Sequence, residues 1–73
     1  MYRIRDLRED NDLSQAEVAK IINTTQQQYS KIECGKSDIS GEKLILLAQY
    51  YNVSVDYILG LINEPKPLYQ KKK

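Results

Sequence analysis

Four side chains raise the question of what this chain does: Gln15 and the unbroken run Gln26-Gln27-Gln28, all within the stretch SQAEVAKIINTTQQQYSKIE. A primary amide donates and accepts hydrogen bonds at the same end, so it suits a partner that presents an acceptor beside a donor. It does no acid–base or nucleophilic work, and the usual parts for such work are scarce. Cys34 is the only cysteine and there is no histidine, which excludes an internal disulfide, a thiol–imidazole dyad and any His-based metal site. Carboxylate pairs remain, but none sits in a Gly-rich loop or an obvious cleft, so the expectation is no enzyme, no catalytic residue, no cofactor and no metal. Cys34 is expected to fill space as a small, semi-apolar side chain.

The 73 residues make room for one small domain, in which folding buries only about 60% of the surface of the unfolded chain. Apolar residues make up 41% and charged residues 29%, the mix of a globular protein. No apolar run approaches the ~20 residues of a membrane span. The start, MYRIRDLRED, is charged from its third residue and has neither a secretory nor a transit-peptide pattern, so a cytoplasmic chain beginning here is expected. The overall charge of +1 conceals a division. Residues 1–62 carry seven Lys/Arg against nine Asp/Glu, a balance of −2, and residues 63–73 carry four lysines against one glutamate, a balance of +3. The first part is expected to be the folded domain and the second a flexible basic tail with two prolines.

The elements that would hold the amides are helices. Apolar spacing and cap signals predict five, with no strand pattern of useful length, so the fold class is all-α. The first spans Tyr2 to Asp10, with Ile4 and Leu7 inward and Asn11-Asp12 tolerating a left-handed stop; Leu13 then points back to the core. Ser14 and Glu17 form a capping box that starts the second helix at Gln15, with Val18, Ala19 and Ile22 inward and Asn23 at its end. Thr25 and Gln28 form a second box, starting the third helix at Gln26 and carrying it to Cys34, with Tyr29 and Ile32 inward and Gly35 as its cap. Ser40 caps a fourth helix that buries Leu44, Leu47 and Ala48 with Ile45 and Tyr51 beside them, and stops at Asn52. Ser54 caps a fifth that ends at Gly60. Each helix is too short to be stable alone, so packing must hold them together. Two short capped helices joined only by Asn23, Thr24 and Thr25 cannot lie antiparallel; they cross steeply, with the small Ala19 at the closest approach and Asn23 at positive φ.

In these residues the chain resembles the Cro/C1-type (XRE-like) helix-turn-helix family, which includes the lambdoid phage repressors. The resemblance runs from Ile4 to Gly60: the LSQAEVA entry to the second helix, Ala19, the Tyr29 and Ile32 pair, the run Ile32-Glu33-Cys34-Gly35-Lys36, the Ser40 helix start and the closing VSVDYILG. Its ordered spacing is what makes it specific. Asn23 stands where the family usually has Gly, and Thr24 and Tyr29 where it has aliphatic residues, which leaves a Tyr29 hydroxyl in need of a partner. Ser37-Asp38 stands where relatives often carry further basic residues, which lowers the expected phosphate affinity of that loop.

The resemblance implies a compact five-helix, lambda-repressor-like domain whose third helix lies in the major groove with its N-terminal residues at the base edges. Gln26 and Gln27 are then base readers, since a glutamine amide matches the N6 and N7 edge of adenine. Gln28 has a capping task and contacts base or phosphate besides, or neither. Lys31, one turn on, reads guanine, approaches phosphate or is simply solvated. Gln15 opens the second helix and is expected on the DNA backbone, with a second hydrogen bond to Gln26; Thr25, Ser30 and Lys36 are the other phosphate candidates, Thr25 also being a helix cap. Arg8 and Glu33 match a structural ion pair that locks the third helix to the scaffold.

A single such domain reads too few base pairs to select one operator, so relatives bind inverted half-sites as dimers. The candidate dimer interface is Val55, Tyr57, Ile58, Leu61 and Ile62; the alternative for these five is closure of the small core. The function expected is sequence-specific double-stranded DNA binding by a prokaryotic or phage transcriptional regulator, a repressor, acting as a homodimer on an inverted-repeat operator. The alternative is an antitoxin or adaptor whose main partner is another protein. RNA or nonspecific binding is disfavoured by the negative balance of residues 1–62 and by an expected lack of exposed aromatic platforms.

Overall fold

A computed structural model describes residues 2–63. The expectation of a basic tail therefore lies, apart from Asn63, outside the described residues. Five helices follow one another: α1 (Ile4–Asp10), α2 (Gln15–Ile21), α3 (Gln26–Glu33), α4 (Gly41–Tyr51) and α5 (Val55–Ile58). No strand occurs among the described residues.

Local chemistry sets most of the boundaries. The hydroxyls of Ser14, Thr25, Ser40 and Ser54 each accept from the backbone N–H three residues on, at 3.1, 3.1, 3.2 and 3.1 Å, and so satisfy one of the donors that every helix start leaves free. At α2 the box is reciprocal, because Glu17 Oε1 accepts from the Ser14 N–H at 2.8 Å. At α3 only the hydroxyl half is present, so the expected Thr25–Gln28 box is corrected to a simple cap. The stops use left-handed residues: Asp12 at φ 56°, Asn23 at 59° and Asn52 at 56°, where a short polar side chain tolerates the conformation better than a branched one. After α3, Gly35 takes φ 85° and the Lys36 N–H reaches back to the Lys31 carbonyl at 2.8 Å, which closes the helix end.

α1 starts two residues later than expected. Arg3 stands at its N-cap position without capping it, because a guanidinium has no acceptor to offer the free N–H groups; its backbone N–H donates to the Ile58 carbonyl at 2.7 Å. The core is built from Ile4 and Leu7 of α1, Val18, Ala19 and Ile22 at α2, Tyr29 and Ile32 of α3, Leu47 and Ala48 of α4, Val53, and Ile58 of α5. α2 packs most extensively against α3, and Ala19 at their crossing is 2% exposed. Leu44 and Tyr51 pack against this core from α4, but Ile45 is 52% exposed. The reason is angular: Leu44, Leu47, Ala48 and Tyr51 follow the three-and-four spacing of one helix face, and Ile45 stands about 100° away. Cys34 is also corrected. It is exposed at the C-cap of α3, with its thiol toward the Lys31 carbonyl at 3.6 Å, and fills no core space.

Candidate nucleic-acid interface

The short link Asn23-Thr24-Thr25 fixes how α3 leaves α2. The Asn23 N–H donates to the Lys20 carbonyl at 3.2 Å and the Thr24 N–H to the Ala19 carbonyl at 2.9 Å, so the turn is tied to the end of α2 before the Thr25 hydroxyl starts α3. Gln26 and Gln27 then occupy the first turn of α3, both exposed, and no side-chain hydrogen bond recorded among the described residues uses their amides. Gln28 is half-buried and Lys31, one turn on, is exposed. Thr25 is exposed, Ser30 half-buried, and Lys36 exposed on the loop that follows Gly35.

The other end of α3 is a closed polar network. Arg8 donates to Glu33 from Nε at 2.7 Å and from Nη2 at 3.1 Å, a two-point pair between side chains that are only 14% and 5% exposed. Arg8 Nη1 also donates to the Leu13 carbonyl at 2.9 Å, which ties α1 to the start of α2. Gln15 Nε2 donates to Glu33 Oε1 at 3.0 Å. Its amide therefore bonds Glu33, where the expectation placed a bond to Gln26; the first turn of α2 faces the C-terminal end of α3, within reach of Glu33. Burial alone would raise the Glu33 carboxyl, yet its interactions with Arg8, Tyr29 and Gln15 outweigh burial and hold it below its ordinary value.

Two hydroxyls complete this interior. Tyr29 is fully enclosed, and its phenol is raised by burial and then by the Glu33 carboxylate beside it. Its hydroxyl lies close to that carboxylate but falls short of a well-formed hydrogen bond, so the partner expected for it is only partly supplied. The buried Tyr51 hydroxyl likewise lacks one, and that phenol is pushed up to about 12 by burial and by Tyr50. Tyr2 and Tyr50 are 46% and 50% exposed, contrary to the expected lack of exposed aromatics, although Tyr50 meets Tyr51 edge-on at 5.3 Å.

The five residues of the candidate dimer face divide. Ile58 is 0% exposed and belongs to the core, which corrects its place on that face; a residue with no accessible surface cannot meet a second chain. Val55 and Tyr57 are half-buried and pack against the core, Ile62 is half-buried, and Leu61 is 70% exposed. Sequence reasoning missed Arg3. It reaches the Tyr57 carbonyl at 3.0 Å and stacks on the Tyr57 ring at 4.6 Å, and nothing in the local sequence signals a contact across so many residues. No helix among the described residues is long and apolar enough to cross a membrane.

A family profile described as helix-turn-helix matches residues 4–58. The chain is 37% identical over 70 residues to the uncharacterised HTH-type transcriptional regulator YobD of Bacillus subtilis, covering 96% of this chain and 62% of that protein. It is 37% identical over 57 residues to the antitoxin PezA of Streptococcus pneumoniae, covering 78% of this chain and 36% of PezA. It is 34% identical over 70 residues to the uncharacterised HTH-type transcriptional regulator RC0668 of Rickettsia conorii, covering 92% of this chain and 56% of that protein. The chain thus spans less than two thirds of each of these relatives. No solved structure is a significant match. With its capped α2–α3 pair inside the matched span, the chain belongs to the Cro/C1-type helix-turn-helix family of DNA-binding transcription regulators.

Proposed function

We propose that the protein is a sequence-specific repressor that inserts the first turn of α3 into the major groove of double-stranded DNA. The observation that carries this reading is the pair of exposed amides, Gln26 and Gln27, on a helix start where the Thr25 hydroxyl already accepts from the Gln28 N–H. An amide left to solvent at that position has its donor and acceptor ready for the N6 and N7 edge of adenine, and a good bidentate pair discriminates by about 1–3 kcal/mol. Lys31 extends the same face toward guanine or phosphate. Thr25, Ser30 and Lys36 border it as backbone contacts, which fix register without reading sequence. Gln15 carries less of this role than its position alone suggests, because one amide hydrogen is committed to Glu33.

The unit of recognition is a homodimer on an inverted repeat, with half-sites one helical turn apart. Leu61 is the exposed apolar residue at the exit from α5, flanked by Tyr57 and Ile62. The dimer reading is checked by hydrodynamic mass with and without a palindromic site; a strictly 1:1 complex on such a site contradicts it.

Similarity to a protein named as an antitoxin favours a second reading, in which DNA binding is secondary to a protein partner. Selection of binding sites from a random duplex library separates the two. The repressor reading expects one preferred motif that loses definition at particular positions when Gln26→Ala or Gln27→Ala is used. Recovery of no preferred motif supports the second.

A further inference from the structure

Arg5 of α1, Gln15 of α2, Ser30 and Glu33 of α3 and Cys34 at its C-cap line one open hollow of about 130 Å³. Gln26, Ser30 and Cys34 are spaced by four along α3 and so share one side of it, which makes the hollow continuous with the turn that presents the exposed amides.

The donors at this hollow are open to a ligand. Arg5 is 68% exposed, and its one ion pair, with Glu9 at 3.4 Å, lies at the surface, where such pairs contribute little. A guanidinium that leaves this carboxylate for a phosphate gives up little and gains a partner matched to its two-pronged fork. Gln15 Nε2 donates one hydrogen to Glu33 Oε1 at 3.0 Å and keeps a second. Ser30 is half-buried, and no hydrogen bond recorded among the described residues uses its hydroxyl. The carboxylate on the wall, Glu33, is nearly inaccessible and held by Arg8 in two bonds, so it opposes an anion only weakly.

The adjoining hollows differ. One, of about 380 Å³, has Tyr2, Ile4, Ile32 and Asp38 on its walls and no cation. The other has Arg3 and Arg5 beside Asp6, but Arg3 donates to the Tyr57 and Ile62 carbonyls at 3.0 and 3.1 Å and to Asn63 Oδ1 at 2.9 Å, and so serves the fold. Residues 1–63 carry seven Lys/Arg against nine Asp/Glu, so a phosphate is drawn here by a placed cation and not by overall charge.

We infer that this hollow seats one backbone phosphate of the bound duplex, with Arg5 as its cation and the Ser30 hydroxyl and the second Gln15 N–H as neutral donors. The inference rests on the DNA-binding reading above and adds Arg5 to it, a residue that no cap, spacing or apolar pattern marks. A phosphate contact fixes register without reading sequence. Because Gln26 and Ser30 share one side of α3, a phosphate held here sets how the first turn of α3 meets the base edges.

The test uses duplexes of the selected site, each carrying a single uncharged methylphosphonate at a successive backbone position. Binding of the wild type, Arg5→Gln and Arg5→Lys is followed by fluorescence anisotropy across a salt series. Arg5→Gln is expected to keep the thermal midpoint and the base preference of the wild type. It is expected to bind roughly fivefold more weakly for each half-site near physiological salt, with a slope of log K against log salt shallower by about 0.9 for each half-site. One methylphosphonate position in each half-site should weaken the wild type and leave Arg5→Gln unchanged, with Arg5→Lys, which keeps the charge and loses the fork, falling between them. Cys34, on the same wall, should react with iodoacetamide several-fold more slowly in the saturated wild-type complex than in the free chain. An unchanged salt slope in Arg5→Gln, or a methylphosphonate profile identical to that of the wild type, overturns the site. A Cys34 rate unaffected by saturating duplex overturns it as well, and a loss confined to particular base pairs overturns the backbone role of Arg5. A wild-type chain that binds no duplex at all sinks the DNA reading itself, an outcome distinct from an unchanged slope.

Discussion

At its first turn α3 presents Gln26 and Gln27 to solvent, with their amides unengaged by any other described residue. At its last turn the same helix holds Glu33 in two bonds from Arg8 and one from Gln15, nearly out of contact with water. The two ends use polar groups in opposite ways. Where donor and acceptor meet inside the protein, they fix the orientation of the helix; where they are left outside, they remain available to a ligand. A recognition element needs both, because amides on a helix that could rock would meet base edges in no fixed register.

Breaking the fixed end has the largest expected effect. Glu33→Ala leaves the part-buried Arg8 guanidinium with only the Leu13 carbonyl and a 3.8 Å approach to Glu9, and should cost about 2 kcal/mol, on the order of 10 °C in the thermal midpoint of so small a domain. DNA affinity should fall alike for every sequence, and a loss confined to one base position would contradict the structural assignment. The pH dependence has a defined sign. Glu33 is held below its ordinary value in the folded state, so its contribution is fully present above the unfolded carboxylate pKa of about 4.3 and is lost as pH falls through the lower folded value. Acid titration of the thermal midpoint should therefore be flatter below about pH 4 in Glu33→Gln than in the wild type.

Changing the free end should move binding without moving stability. Gln26→Ala and Gln27→Ala are expected to cost about 1–3 kcal/mol in binding to the preferred site, with unfolding free energy within about 0.5 kcal/mol of the wild type, as for exposed residues without a partner. Gln15→Ala falls between the two ends. It removes a hydrogen bond to a charged group and should lower stability by about 1.5 kcal/mol; unchanged stability with a uniform loss of affinity would move Gln15 from the scaffold to the DNA backbone. Thr25→Ala removes the cap that separates the turn from α3 and should cost about 1 kcal/mol, read by denaturant unfolding.

What could be read from the sequence follows the same division between local and distant causes. The serine and threonine caps and the left-handed stops at Asp12, Asn23 and Asn52 depend on a residue and its immediate neighbours, so they appear in the sequence as they appear in the fold. The Arg8–Glu33 pair is legible only through family resemblance, because nothing local links positions so far apart. The outward turn of Ile45, the enclosure of Ile58 and the exposure of Cys34 depend on how helices pack, and hydrophobicity alone misplaces all three. Gln15 and Arg3 show the limit most clearly. Each has a side chain long enough for several partners, and only the packing of α1, α2 and α5 selects Glu33 for one and Tyr57, Ile62 and Asn63 for the other.

The division of α3 into a reading end and a fixed end is tested most directly by measuring binding of the wild type, Gln27→Ala and Glu33→Gln to every single-base variant of the selected site, alongside their thermal midpoints. The account predicts that Gln27→Ala loses preference at one or two adjacent base pairs in each half-site with an unchanged midpoint, whereas Glu33→Gln lowers the midpoint and weakens all duplexes in parallel. A Gln27→Ala chain that keeps the full wild-type preference at every position would contradict it.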